Sequence, residues 1–169
     1  MSSFLLSQIL VSIAICTDIL SFQFKDRKKI VGCLLVSTLL ISAHFMLLEH
    51  WTAAGLGLVA AVRFATSLFT SSKKMMGLFI CSAVIITACS FEGLLSILSC
   101  GGAIFGTAAA FCREDKRLRQ LMLVATSFWV VHNYIAGSPG AVLMELLFIS
   151  SNLVGYYRYY IRAKAQVLH

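Results

Sequence analysis

Three ionisable residues other than histidine stand inside long apolar stretches of the chain: Asp18, Arg63 and Glu145. A charge at mid-bilayer costs about 2.5–3.5 kcal/mol on insertion scales, so such a residue faces a bundle interior or a water-filled cavity. It either binds something or ties helices together. Trp129, His132 and Asn133 lie three and four residues apart and share one face of a helix. Glu145 and Asn152, seven apart, share another. A stacking indole with amide and imidazole groups suits a small polar solute; the competing reading is an interfacial tryptophan and an asparagine bonded across helices. His44 and His132 each stand about four residues from the far end of an apolar run. They suit a pair flanking a cavity, or two residues that bond neighbouring helices. Counted along their helices at 1.5 Å per residue, His132 and Glu145 come out at similar depth, as do Asp18 and Arg63, which predicts hydrogen-bond or water-bridged reach in the first pair and a salt bridge, direct or through one water, in the second. His132 with Glu145 is the only acid–base pair on offer, and no nucleophile stands at a recognisable spacing, so an enzyme is not expected.

Other chemistries have no motif to rest on. The six cysteines form no C-x-x-C pair and mostly sit in apolar runs, where cysteine behaves as a small hydrophobe. There is no HExxH and no Walker or Rossmann pattern, so neither metal nor cofactor is expected.

The elements that must position these residues are membrane spans. Of the 169 residues 59% are hydrophobic and 12% charged, with a mean hydropathy of +0.88. A soluble domain is nearer half apolar and a quarter charged, so the lipid bilayer is the expected partner. Spans are predicted at about 4–22, 30–48, 51–69, 75–89, 93–112, 120–136 and 139–158. The sole proline, Pro139, suits the first turn of the seventh. No cation precedes the first apolar run, so it reads as a retained span and not a cleaved leader. The net charge of +7 is set by clusters at span ends and not by a nucleic-acid-binding surface. Alternate loops and the C-terminal tail hold 4, 2, 4 and 3 Lys or Arg, the others none, which predicts an outside N-terminus and an inside C-terminus.

The stretch 24–44, FKDRKKIVGCLLVSTLLISAH, returns at 112–132 as CREDKRLRQLMLVATSFWVVH, an offset of 88 residues with no gap. Both copies run from a basic knot through an apolar helix to a histidine. The expected fold is therefore an all-α integral membrane protein of seven transmembrane helices. Two parallel three-helix repeats, 1–74 and 92–160, are joined by a linker helix in 75–91, and a cytoplasmic tail follows at 161–169. Gly102 and Gly106 on span 5, and Ala53, Gly57 and Ala61 on span 3, are small-residue stripes suited to a tight core or to a homo-oligomer face.

The runs SFQFKDRKK after span 1, AHF near the end of span 2 and FWVVHNYIAGSPGAVLMELLF across spans 6 and 7 resemble the YgjV family of bacterial inner-membrane proteins over nearly the whole chain. The resemblance implies a multi-pass protein of the inner (cytoplasmic) membrane and brings no activity with it. The 3+1+3 layout is similar to that of the SWEET, SemiSWEET and PQ-loop group and of the PnuC transporters, which are carriers of small solutes. That likeness implies passage of a small polar solute by alternating access between the two units. Trp129 and Asn152 resemble the tryptophan and asparagine that line the site in that group. The proline–glutamine pair of the PQ-loop group is represented only by Phe22-Gln23, with Phe111-Cys112 in the second repeat. On this reading the solute meets Trp129, His132, Asn133, Glu145, Asn152, His44, Arg63 and Asp18.

Overall fold

The computed structural model describes residues 3–49, 51–89, 91 and 93–162, with the backbone alone at 51–53. Among them the regular structure is helical: α1 (Ser3–Ser21), α2 (Arg27–Leu47), α3 (Trp51–Phe69), α4 (Lys73–Cys89), α5 (Leu94–Phe111), α6 (Asp115–Ile135) and α7 (Pro139–Tyr156), the last continuing as a π-helical turn, Tyr157–Arg162. By length and composition, α1, α2, α5 and the continuous Pro139–Arg162 segment are long and apolar enough to cross a membrane.

The middle helices start earlier than the apolar runs do. The Asp26 side chain caps α2 by accepting from the Lys28 backbone N–H at 2.8 Å, so the basic residues that follow become its first turn. In α6 the knot is helical from Asp115, with Glu114 pairing to Arg117 at 3.2 Å. Pro139 opens α7, where its missing N–H costs nothing.

The chain divides into two compact units, one ending at Phe69 and one beginning at Thr70. In the first, α2 packs against both α1 and α3. In the second, α6 packs against both α5 and α7, and α4 packs on α5, so α4 belongs to that unit. The expected tail beyond residue 162 and the Ala53 side chain lie outside the described residues.

The 88-residue offset reaches the backbone. Shifting α2 by 88 reproduces the bounds of α6, and shifting α3 gives 139–157 against 139–156 for α7. The closing turns match as well. After α6 the N–H groups of Ala136, Gly137 and Ser138 donate to the carbonyls of His132, Tyr134 and Asn133 at 2.8, 3.1 and 3.0 Å, with Gly137 at φ +69°. This is a Schellman closure. After α2, Leu48 and Glu49 donate to His44 and Met46 at 3.2 and 3.1 Å, and Glu49 takes φ +61°, a left-handed backbone unusual for glutamate.

Candidate functional site

The expected cluster at the end of α6 away from the basic knot is partly assembled. The rings of Trp129 and His132 meet edge to face at 5.3 Å, and His132 Nδ1 lies 3.3 Å from Asn133 Oδ1. The indole rests against Gly102 of α5, where a Cβ would come within 2.6 Å of Nε1. Trp129 therefore faces α5. Glu145 is half-buried on α7, and among the described residues no hydrogen bond or ion pair joins it to His132. The His132 ring is turned toward Trp129.

His44 bonds a neighbouring helix. Its Nδ1 lies 2.9 Å from the Ser7 carbonyl of α1, which can only accept, so that nitrogen carries the proton.

No direct salt bridge joins Asp18 and Arg63 among the described residues. The Asp18 carboxylate is met by the hydroxyl of Ser37 on α2, and the Arg63 guanidinium lies 4.9 Å from the Phe64 ring. The reason is the order of packing. Ser37 faces α1, donating to the Ala14 carbonyl at 3.2 Å, whereas Ser42 faces Gly57 of α3. Five residues of helix turn through about 500°, so these two serines look in directions about 140° apart.

A second polar cluster stands at the basic end of the second unit, and Arg119 is its centre. This side chain reads in the sequence as one more cation of a solvated knot. It is 0% exposed. Its Nε lies 4.0 Å from Asp115 Oδ2, and its guanidinium lies 5.5 Å from the Tyr159 ring. Asp115 also accepts a hydrogen bond from the Tyr160 hydroxyl. Asn152 of α7, likewise 0% exposed, donates from Nδ2 to the Arg119 carbonyl at 2.9 Å. Its Oδ1 has no hydrogen-bond partner among the described residues. Gln120 donates to the Tyr156 hydroxyl at 3.2 Å, an exposed bond one turn of α7 beyond Asn152. Asn152 is thus fixed to the second turn of α6. Trp129 stands ten residues further along, about 15 Å away, so these two do not line a common site within the unit.

The repeat shows what is unusual here. At offset 88 the counterparts of Arg119 and Asn152 are Val31 and Phe64, 0% and 6% exposed. The same two buried positions are filled by hydrocarbon in one unit and by a guanidinium and an amide in the other. A mirror case exists between α1 and α2. Asp18 and Ser37 correspond to Gly106 and Ala125, and a Cβ on Gly106 would lie 3.9 Å from that of Ala125. Each unit therefore carries one polar pair where the other packs without it. Comparing the two copies position by position, and not by their charge clusters, is the signal that singles out Arg119.

An all-helical chain of this apolarity, with four helices able to cross a bilayer by length and composition, is an integral membrane protein. The sequence profile described as Imp-YgjV, bacterial inner membrane protein, matches residues 5–163. The chain is 30% identical over 160 residues to inner membrane protein YgjV of Escherichia coli (strain K12), covering 95% of this chain and 87% of that one. It belongs to the YgjV family and is a protein of the bacterial inner membrane. No solved structure matches it.

Proposed function

We propose that this chain is a carrier of a small polar solute, working by alternating access, without a chemical step. In this reading all seven helices cross the membrane as a 3+1+3 array, with the N-terminus outside and the C-terminus inside. One observation carries it: the fully buried Arg119 and Asn152 occupy positions where the first unit packs with Val31 and Phe64. Replacing a buried ion pair as a whole by hydrocarbon of similar size is often neutral or stabilising, so packing alone gives no reason to keep a guanidinium and an amide at these two positions. Polar groups held at such expense inside a membrane protein mark a solute or ion pathway.

The test copies the first unit into the second. The Arg119→Val, Asn152→Phe double variant should fold, because the Asp115 left behind is 21% exposed and keeps its hydrogen bond from Tyr160. In proteoliposomes screened with a panel of radiolabelled amino acids, hydroxy acids, sugars and polyols, it should lose the uptake that the parent shows. Uptake unchanged in the double variant would overturn the reading. So would a parent that moves nothing across the panel; an assembly role without transport would then take its place.

A further inference from the structure

The chemistry of this site points to more than polarity in the solute. Arg119 is the fifth residue of α6, one turn in from the positive N-terminal end of a 21-residue helix. Lys116 on the preceding turn adds another cation, 5.7 Å from the Tyr160 ring. The charge facing them within this cluster is the Asp115 carboxylate. Asp115 is engaged twice, by Tyr160 through a direct hydrogen bond and by Arg119 at the outer limit of an ion pair. The acceptor that Asn152 holds ready, Oδ1, is fully buried and needs a donor. An anion alone leaves that acceptor unsatisfied, and a neutral polyol leaves the guanidinium to Asp115.

Resting on the carrier reading, we infer that the basic end of α6 and α7 binds a small carboxylate carrying its own hydrogen-bond donor, an amino or hydroxy acid, and that Asp115 occupies the place of that carboxylate when no solute is bound. The solute carboxylate takes the Arg119 guanidinium, and its hydroxyl or ammonium group donates to Asn152 Oδ1. Asp115 keeps its bond to Tyr160. The π-helical turn that carries Tyr159 and Tyr160 is the cover of the site, because both rings lie over the cations of α6. π-Helical turns are rare and recur at functional sites, which fits that role. Asp115 stays on Tyr160 with its side chain 21% exposed, so it can release Arg119 to the solute carboxylate without becoming a buried ion that has no partner.

The experiment uses the full chain in nanodiscs with four probes: glycolate, L-serine, acetate and ethylene glycol. Thermal stability and peptide-resolved hydrogen exchange over 157–162 are followed against concentration. Glycolate and L-serine should raise the midpoint and slow exchange in that turn; acetate should act roughly tenfold more weakly, and ethylene glycol not at all. Asp115→Asn keeps an acceptor for Tyr160 but removes the competing carboxylate, so it should tighten binding of both anions by roughly tenfold. Asn152→Leu should abolish the preference for glycolate over acetate. If that variant does not fold, the Asp115→Asn result decides alone. Acetate and glycolate equal to ethylene glycol in both the parent and Asp115→Asn would overturn the inference. Uptake of a neutral solute without any anion binding would sink it while leaving the carrier reading standing. Anion binding without uptake of any solute would do the reverse.

Discussion

Gly102 and Gly106 form one G-x-x-x-G motif, yet the structure predicts opposite outcomes for the same substitution at its two ends. A Cβ on Gly102 would stand 2.6 Å from Trp129 Nε1 and 3.0 Å from both Cδ1 and Cε2. The indole is not a free end that can swing away, because its ring is held edge to face against His132 at 5.3 Å. Overpacking of this kind costs about 1–3 kcal/mol. Alanine recovers up to about 1 kcal/mol of helix propensity over glycine. Gly102→Ala should therefore lose up to about 2 kcal/mol on those two terms. A Cβ on Gly106 would meet only the Ala125 Cβ, at an ordinary 3.9 Å, so Gly106→Ala should be neutral or gain up to about 1 kcal/mol. The assay is reversible unfolding in mixed micelles, titrated with SDS and followed by circular dichroism. A Trp129→Leu background should remove most of the Gly102→Ala penalty, since the clash is with the ring. Equal stabilities for the two alanine variants, or a Gly102 penalty unchanged by Trp129→Leu, would refute the assignment of the motif to the α5–α6 contact.

Two further outcomes follow from single contacts. Glu49 is exposed and left-handed where the second unit has Gly137. Glu49→Gly should stabilise by up to about 1 kcal/mol, and Gly137→Ala should destabilise by about as much in the same titration, because a left-handed residue other than glycine costs about 1–2 kcal/mol. Arg27 Nη2 donates to the Ser67 carbonyl at 2.7 Å, clamping the start of α2 to the end of α3. Arg27→Gln should cost about 1.5–3 kcal/mol, the range for hydrogen bonds to charged groups, and speed amide exchange near residue 67.

Much of the fold was legible in the amino-acid sequence because a membrane span is a length of apolar chain, and length is what a sequence states directly. The third apolar run, at 51–69, has the same bounds as the helix α3, Trp51–Phe69. An apolar run marks a span and not a helix start: α2 and α6 begin at Arg27 and Asp115, ahead of the runs at 30 and 120, and in α2 the capping Asp26 makes the charged residues its first turn. The candidate site was less legible. Depth along a helix advances 1.5 Å per residue, but direction turns 100°, so equal depth said nothing about whether Asp18 met Arg63 or His132 met Glu145. Asp18 turns to Ser37, and His132 turns to Trp129. Arg119 was hidden for the opposite reason: its neighbours Arg117 and Lys116 are exposed, and the sequence alone gives a buried cation and a solvated one the same appearance.

The Schellman closure between α6 and α7 also sets where this pair of helices is free to move. Three backbone bonds at 2.8–3.1 Å and one left-handed glycine span the turn, and Pro139 then fixes the first dihedral of α7. That end of the hairpin behaves as a welded corner. At the other end α7, held to α6 through Asn152 on the Arg119 carbonyl and Gln120 on the Tyr156 hydroxyl, passes into a π turn whose ties to α6 are side-chain contacts: a tyrosine hydroxyl and two cations over rings. Such ties break one at a time and re-form on sub-millisecond timescales, whereas the corner opens only by unfolding. A small angular fluctuation of α7 about the corner is amplified along an 18-residue helix, about 27 Å, into its largest displacement where Tyr159 and Tyr160 lie over Arg119 and Lys116. The stiff end of the hairpin is therefore the Gly137 corner, and the end with the most room to shift is the π turn beyond Asn152.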